Sequence, residues 1–495
     1  MNDPDHDSLV VTDQEASGHL DLYALPKDAI KDPPNSLLRA LGQIGPGLIL
    51  AGSIVGTGEL INTTGLGAQQ GYSLLWLILL SCVIKVFVQT ELGRYAITHG
   101  KTTLAAFDTV PGPRLGANWL GWAWLIMMLT TQAQIAAMEG LVGQAANMAF
   151  PGASAAVARA FGSLNGDLGN YLASHPDYFW ATLTCLAAIA LLLSGGYRRL
   201  EKITTALVAM VTLITVACVV GLPWTPPPTD FSIASIATGL TFTLPATAAL
   251  AFSTFGITGV GASELFAYPY WCIEKGYARA AGPRTPDDDW ARRARGWLKV
   301  MQIDAWFSMV VFTVATIAFY ILGAAILHPK KIQPQGPQMI RQLSEMYTSL
   351  GSWTAVVFLL GAWAVLFKTL YVATAGNSRL TADFLGLAGF WPQRDPKTRD
   401  YVTRVFCVVY PLLALGLYFG VREPAGLVKV GGYAQGLTLP LIAGATLYLR
   451  YRDADPRVAP SRVTDILTWI AAIAISVVAI YSLWLEFRKH LGLGS

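Results

Sequence analysis

The feature that most restricts the fold is a series of apolar stretches, each long enough to cross a lipid bilayer as a helix. Crossing the hydrocarbon region takes about 20 apolar residues, and the backbone there must satisfy its own hydrogen bonds. Only 13% of the residues are charged and 53% are hydrophobic, whereas soluble domains carry about 25% charged residues. The sequence therefore predicts an all-α polytopic membrane protein. About eleven stretches meet the criterion, numbered here as spans 1 to 11: 43–69, 72–98, 119–149, 179–196, 202–223, 239–279, 298–327, 353–381, 401–421, 426–450 and 464–486.

Lysine and arginine residues are concentrated in alternate loops, which indicates how the chain is oriented. The loops after even-numbered spans carry roughly twenty of them, and the loops after odd-numbered spans carry about six. Because cytoplasmic loops are enriched in basic residues, we expect residues 1–40 to form a cytoplasmic N-terminal tail. This tail has no signal-peptide pattern. We expect a monomer in a bacterial inner membrane or a plasma membrane.

Motifs typical of enzymes are absent from the sequence. It contains no GxxxxGK[ST] phosphate loop, no catalytic-triad motif and no metalloprotease motif. The five cysteines lie in or beside apolar segments without paired spacing, which is typical of buried free thiols. The sequence thus predicts a non-enzymatic membrane protein without a cofactor or a nucleic-acid partner, whose substrate is a small ion or small molecule.

Two similar hexapeptides lie midway along spans 1 and 6. Val55–Leu60 reads VGTGEL and Val260–Leu265 reads VGASEL, so four of the six letters agree. The two copies are five spans apart, and this odd number gives them opposite orientations across the membrane. Inverted repeats whose discontinuous helices meet at the bilayer midplane are typical of secondary transporters. We expect a first repeat over 41–223, a second over 239–450 and an additional span at 464–486.

Each hexapeptide combines glycines with a glutamate at the depth of the hydrocarbon. Glycine lowers the cost of leaving the helix, and an unwound segment exposes carbonyl oxygens and half-helix amides. A carboxylate at this depth costs about 3 kcal/mol or more, so it is normally paired or functional. We therefore expect both spans to break here and both glutamates to reach one cavity. A structural alternative stays open, in which the glycines pack helices and each glutamate is paired or protonated. The predicted substrate-binding residues are Gly56, Thr57, Gly58, Glu59, Val260, Gly261, Ser263 and Glu264.

Several motifs resemble the NRAMP family of divalent-metal transporters. They are Gly45-Pro46 at the start of span 1, GYSLLW at the start of span 2, QTELGRYAITHG (Gln89–Gly100), FGITG before the break of span 6, and ATAGN (Ala373–Asn377) in span 8. The resemblance covers spans 1 to 10 and is strongest in spans 1 and 2. It implies the LeuT-type fold, in which two inverted five-helix repeats with broken helices 1 and 6 are followed by an extra helix.

The residues that bind metal in that family are replaced in this sequence. The family's Asp-Pro-Gly-Asn signature in span 1 falls on 56–59, which reads Gly-Thr-Gly-Glu. Its Ala-x-x-Met-Pro-His signature in span 6 falls on 260–265. Ser263 and Leu265 therefore stand where the family has its methionine and histidine. The metal selectivity of the family cannot be transferred to this chain residue by residue.

The replacement residues favour a different set of ligands. Two carboxylates, a hydroxyl and exposed carbonyls are hard oxygen donors, which suit Mg²⁺, Mn²⁺ or Ca²⁺ better than ions that prefer thioether sulfur. The leading hypothesis is a secondary carrier of a divalent metal cation, with Glu59 and Glu264 as metal ligands. Three alternatives stay open. The substrate could be an organic amine, or a small anion bound by half-helix amides; or the protein could be an intramembrane sensor that does not transport.

Three charged residues within the spans are candidates for coupling transport to another ion. Lys85 in span 2 and Lys368 in span 8 either neutralise a buried acid or take part in coupling. The resemblance aligns Lys368 with a position where LeuT-type carriers can hold a second coupling ion, so its ammonium could mimic that ion or carry a coupling proton. The acidic residues of the family's proton path fall on Ala137 and Gly140, next to Glu139 in span 3. The acids that could pair with the lysines are Glu59, Glu91, Glu139 and Asp304.

Overall fold

The computed structural model describes residues 29–490 apart from 55, 57, 195–196, 244–247, 351–352, 392–394 and 454. This part of the chain is almost entirely helical, and two short antiparallel strands, Arg114–Leu115 and Ala117–Asn118, precede span 3. Nine helices in the described ranges are long and apolar enough to cross a membrane. The two other spans are span 1, which is interrupted, and span 10, whose glycines and polar residues lower its mean hydropathy.

Eleven helical segments coincide with the predicted spans, which confirms the all-helical polytopic fold. In chain order they are Pro46–Ile54 with Gly58–Thr63 and Thr64–Gln70 (span 1), Leu75–His99, Trp119–Ala149, Pro176–Ser194, Tyr197–Gly221, Ala248–Ile257 with Ala262–Glu274 (span 6), Asp288–Leu322 with Gly323–Leu327 (span 7), Trp353–Leu387, Pro396–Val421, Pro424–Asp453 and Arg462–His490. The shorter helices are Leu37–Leu41, Thr103–Phe107, Pro151–Leu164, Gly166–Ser174, Leu222–Trp224, Ile233–Thr238, Tyr277–Ala281, Gly336–Gln338, Met339–Ser344, Glu345–Leu350 and Pro456–Val458.

Span 1 begins at a cap supplied by another span. The carboxylate of Asp304 in span 7 accepts hydrogen bonds from the backbone amides of Gly45 (3.0 Å) and Gly47 (2.6 Å). A negative charge at this position stabilises the start of a helix. The first half-helix ends at Ile54, and the chain resumes as a wide π-helical turn, Gly58–Thr63. The predicted break of span 1 is confirmed.

Span 6 breaks at the predicted place because its backbone adopts conformations that end a helix. The first half-helix ends at Ile257, and the second begins at Ala262 after the extended residue Gly261. Gly259 has a φ of 68°, in the left-handed region that favours glycine. A Cβ added there would lie 2.9 Å from the Cα of Cys82 in span 2. Glycine therefore permits both the turn and the close approach of span 2.

Arginine–carboxylate pairs join the spans at one end of the bundle. Glu91 of span 2 pairs with Arg94 at 3.2 Å and with Arg450 of span 10 at 2.5 Å. Arg450 also pairs with Asp465 of span 11 at 2.7 Å. Since Glu91 already has two arginine partners, it does not serve as the partner of Lys85.

Candidate substrate site

A cavity of about 60 Å³ lies between the two broken spans and spans 3, 8 and 10. A single water needs a cavity of roughly 10–15 Å³, so this cavity has room for an ion with a few waters. Its polar and glycine lining residues are Gly58, Thr131, Gln134, Ser263, Glu264, Thr369, Gly376, Asn377 and Gln435. Its apolar lining residues are Ile54, Ile135, Met138, Ile257, Ala267, Trp271, Val372 and Ala373.

Glu264 lies in the first turn of the second half of span 6 and is partly exposed to the cavity. A Cβ on Gly261 would lie 2.5 Å from Oε2 of Glu264, so the carboxylate folds back over the start of its own half-helix. Free amide groups and the helix dipole make this end of the helix favourable for a negative charge. This end of the half-helix therefore favours a negative charge on Glu264, whose carboxylate oxygens line the cavity.

A chain of amides holds the start of this half-helix in place. The backbone amide of Ser263 donates to Oε1 of Gln435 in span 10 at 3.1 Å. The Nε2 group of Gln435 in turn donates to Oε1 of Gln134 in span 3, also at 3.1 Å. This chain links spans 3, 10 and 6 directly beside Glu264.

Glu59 faces span 7 and not the cavity. It lies in the π-helical turn of span 1 and is fully buried. Its Oε1 accepts a hydrogen bond from Thr316 of span 7 at 3.3 Å, and the backbone amides of Gly56 and Gly259 face the carboxylate. Among the described residues its Oε2 has no hydrogen-bond partner. The expectation that both glutamates reach one cavity is therefore corrected, because Glu59 contacts Thr316 of span 7 and is not among the described residues that line the cavity.

The other predicted binding residues fall into three groups. Gly58 and Ser263 line the cavity with Glu264. Thr57 lies outside the described residues. Three predicted residues are buried without being part of the lining: Gly56, Val260 and Gly261.

Lys85 lies at the break of span 6. Its ammonium donates hydrogen bonds to the backbone carbonyls of Phe255 and Thr258, the second at 2.8 Å. Within the described part of the chain no carboxylate lies within 4.0 Å of it, and Glu59 and Glu264 act on it from a longer range. The hypothesis that Lys85 forms a direct ion pair with a buried acid is therefore wrong for the described residues.

Lys368 lies at the break of span 1. It is 6% exposed, and its Nζ donates to Oγ1 of Thr205 in span 5 at 3.1 Å. A Cβ on Gly52 would lie 2.6 Å from this Nζ, so the ammonium lies against the last turn of the first half-helix of span 1. Each broken span thus has a buried lysine from another span at the end of its first half.

Glu139 is separate from the cavity and from both lysines. It is fully buried in span 3, and neither carboxylate oxygen has a hydrogen-bond partner among the described residues. The Cys185 thiol of span 4 is the group that faces it. The structure therefore does not bring Glu139 together with the other predicted coupling residues.

The profile of one family matches most of the chain. This profile, described as natural resistance-associated macrophage protein-like, covers residues 47–485. The chain belongs to the Nramp family. It is 24% identical over 418 residues to the divalent metal cation transporter MntH of Acidiphilium cryptum, covering 83% of this chain and 82% of that protein. It is 22% identical over 457 residues to the uncharacterized protein PM0681 of Pasteurella multocida, covering 89% and 90%.

Solved transporter structures share the fold of this Nramp protein. A variant of the Eremococcus coleocola manganese transporter superposes with a TM-score of 0.58 at 15% identity, covering 94% of this chain and 90% of that chain. Mhp1, a nucleobase-cation-symport-1 family transporter in a closed conformation, gives a TM-score of 0.53 at 12% identity, covering 95% and 98%. These similarities confirm the LeuT-type fold that the sequence resemblance implies.

Sequence reasoning missed most of the polar cavity residues of this Nramp protein. Gln134 and Gln435 are amides within mostly apolar spans, and Asn377 ends the ATAGN motif. A buried polar side chain in a membrane span is costly unless it has a partner or a function. Their presence in spans 3, 8 and 10 was the signal that could have identified these spans as cavity walls.

The predicted metal-binding pair is not assembled in the described structure. No group of three or more histidine, cysteine or acidic residues is positioned to hold a metal ion within the described ranges. Of the predicted pair, Glu264 lines the cavity and Glu59 does not. Oxygen ligands for a cation would therefore come from Glu264, side-chain amides and hydroxyls.

Proposed function

We propose that this protein is a secondary carrier that moves a divalent metal cation by alternating access around the cavity between spans 1 and 6. Membership of the Nramp family supports the proposal, as do two similar proteins, a divalent metal cation transporter and a manganese transporter. The observation that carries it is Glu264, a carboxylate that lines a midspan cavity at the break of a discontinuous helix.

The donors around the cavity favour a cation that prefers oxygen ligands. Glu264 offers a carboxylate, Asn377 and Gln134 offer amide oxygens, and Ser263 offers a hydroxyl. Such donors suit Mg²⁺ and Mn²⁺. Met138 adds a thioether to the lining, but the position equivalent to the family's methionine is Ser263. The small cavity favours a partly hydrated ion, because organic ligands of drug size occupy about 300 Å³ or more.

We infer that the two buried lysines take part in coupling. Lys368 and Lys85 place an ammonium group at the end of each first half-helix, where carbonyl oxygens and the helix dipole attract cations. A carrier with the Lys368 ammonium in place does not need sodium at that position. Glu139, which is buried without a hydrogen-bond partner among the described residues, is the candidate for binding a proton within span 3.

The same proposal extends to the arrangement in the membrane. The excess of basic residues in alternate loops supports a cytoplasmic N-terminus in a bacterial inner membrane or a plasma membrane. The two inverted repeats would correspond to 41–223 and 239–450, with 464–486 as an additional span. We propose a monomer as the transporting unit, because the cavity is formed by spans of a single chain.

Reconstitution into proteoliposomes tests the function directly. We expect saturable, sodium-independent uptake of Mn²⁺ by the wild type, and Mg²⁺ should compete with it. Ser263→Met should shift the preference towards Cd²⁺ relative to Mn²⁺, because a thioether favours softer ions. Ser73→Met, at a partly buried serine that lies outside the cavity lining, is the matched control and should leave the preference unchanged.

Two outcomes would contradict the proposal. Binding of Mn²⁺ to the purified protein without any flux would identify a sensor that retains the fold. Absence of divalent-cation binding, together with binding of a small anion or amine, would assign the cavity to a different substrate. Calorimetric titration with Mn²⁺, Mg²⁺, methylammonium and small anions distinguishes these cases.

A further inference from the structure

Lys85 is held by groups that together resemble a binding site for a small cation. Its Nζ donates to the carbonyl oxygens of Phe255 and Thr258 and lies 4.8 Å from the centroid of the Phe255 ring. Backbone carbonyls are hard oxygen ligands, and the face of an aromatic ring attracts cations. The lysine side chain is fully buried. Water therefore does not solvate the ammonium, and these protein groups replace its hydration.

The two carbonyls are available because span 6 breaks at this position. The last hydrogen bond of the first half-helix runs from the amide of Thr258 to the carbonyl of Thr254 at 2.8 Å. Beyond it the chain turns at Gly259, so the following carbonyls lack the amide partners that a continuous helix would supply. They also carry the negative end of the helix dipole. An unwound helix end of this kind attracts a cation before any side chain is considered.

Ser81 contacts the same two carbonyls without adding charge. It lies one helical turn before Lys85 in span 2, and its Oγ is 3.1 Å from the carbonyl oxygen of Phe255 and 3.0 Å from that of Thr258. A hydroxyl has a single proton to donate, so it cannot satisfy both oxygens at once. The serine therefore leaves a need for a second donor or a cation, which the ammonium fulfils.

We propose that Lys85 is a resident cation that permanently occupies a monovalent-cation site at the break of span 6. The site consists of the carbonyls of Phe255 and Thr258, the Phe255 ring and the Ser81 hydroxyl. With the lysine in place, its ammonium contacts the broken helix end, and no dissolved Na⁺ or K⁺ is required there. This inference does not depend on the identity of the substrate.

The test removes the resident cation and asks whether a dissolved one replaces it. Lys85→Ala leaves space beside the carbonyls. The melting temperature of the purified full-length protein is measured at constant ionic strength in Na⁺, K⁺, methylammonium and choline. We expect Lys85→Ala to melt below the wild type in choline and to regain about 1–3 °C in one of the smaller cations. The wild type should melt at the same temperature in all four.

Three further variants separate the charge from packing and hydrogen bonding. Lys85→Met fills the space with an apolar chain, so it should be destabilised without any response to cations. Ser81→Ala removes a hydrogen bond to the same carbonyls but leaves the ammonium, so its melting should also be independent of the cation. Lys85→Gln keeps a neutral donor and most of the volume, and it tests the charge if Lys85→Ala does not fold.

The proposal is overturned if Lys85→Ala, or Lys85→Gln in its place, melts identically in all four cations. It is also overturned if the wild type is specifically stabilised by Na⁺ or K⁺ and this response persists in Lys85→Met. Because melting is measured without substrate, these outcomes are independent of the uptake assays. Failure of Mn²⁺ transport would therefore contradict the proposed function and leave this inference standing.

Discussion

Replacing Glu264 with glutamine is predicted to weaken divalent-cation binding about 100-fold or more. The substitution keeps the size of the side chain and an oxygen ligand but removes the charge that lines the cavity. Truncating one partner of a desolvated charge pair costs about 2–5 kcal/mol. The cavity has room for a few waters, so we take the lower part of this range, about 2.7 kcal/mol, which corresponds to 100-fold. The assay is titration of purified protein with Mn²⁺ and Mg²⁺.

Glu59→Gln is the matched control, because it makes the same chemical change in the other broken span. Glu59 is fully buried and accepts a hydrogen bond from Thr316, and it contributes no surface to the cavity. Its charge can act on a bound cation only over a distance, so we expect affinity to fall tenfold or less, about 1.4 kcal/mol. Equal losses in both variants would mean that Glu59 turns into the cavity when substrate binds.

A third result would refute the reasoning altogether. If Glu264→Gln binds Mn²⁺ as tightly as the wild type, or more tightly, then the carboxylate does not contact the cation. The same variant should then be titrated with small anions, because neutralising a carboxylate favours anion binding at the half-helix amides. Tighter anion binding would reassign the cavity.

Three other predictions concern coupling, stability and pH. Lys368→Ala should lower Mn²⁺ uptake or make it dependent on sodium, and uptake in sodium compared with choline detects either change; unchanged flux in both media would leave this lysine a structural role only. Gly259→Ala should destabilise the protein by about 1–3 kcal/mol because of its left-handed φ, whereas Gly65→Ala, whose added Cβ meets no atom within 4 Å, is the control in thermal melting. The side chain of Arg457 lowers the pKa of Asp455, in the loop between spans 10 and 11, to about 2. Its stabilisation is present above the unfolded pKa near 4 and lost as pH falls towards 2, so acid melting curves of the wild type and Arg457→Ala should converge at low pH.

The positions of the helix breaks could be predicted from the sequence because their causes are local. Glycines, a small residue and a glutamate in the middle of an apolar stretch are unfavourable in a continuous membrane helix, whatever surrounds them. The structure accordingly ends the first half-helices at Ile54 and Ile257. Because the hexapeptide recurs five spans later, the sequence also predicts that the two repeats are inverted.

The direction of Glu59 could not be predicted from the sequence, because it depends on helix geometry. An α-helix advances 3.6 residues per turn, but residues 58–63 form a π-helical turn, in which hydrogen bonds join more distant residues. Glu59 is the second residue of this turn and follows closely on the break, so a periodicity counted from the first half-helix does not apply to it. Its carboxylate reaches Thr316 in span 7, which is distant in sequence.

The partners of Lys85 and Lys368 could not be predicted from the sequence for a different reason. A buried charge in a span suggests an oppositely charged side chain as its partner, and Glu91 and Asp304 were available in the sequence. The structure instead uses Glu91 for arginines and Asp304 for backbone amides. Lys85 binds backbone carbonyls, which lose their amide partners where a helix breaks. To predict these contacts, one would have needed to know that Lys85 packs against the break of span 6.

The formal charges around the two breaks have a consequence for how a cation is selected. By formal charge Glu59 and Glu264 count two negative charges, and Lys85 and Lys368 count two positive charges, so the formal sum of these four groups is zero. A group of side chains without net formal charge attracts a divalent cation through directional contacts and not through a long-range field. Affinity for Mn²⁺ should therefore change little between low and high ionic strength, whereas replacing the contacting carboxylate of Glu264 should change it strongly. A steep fall of affinity with salt would contradict this balance of charges, because it would show that the cation is attracted by a long-range field, which salt screens.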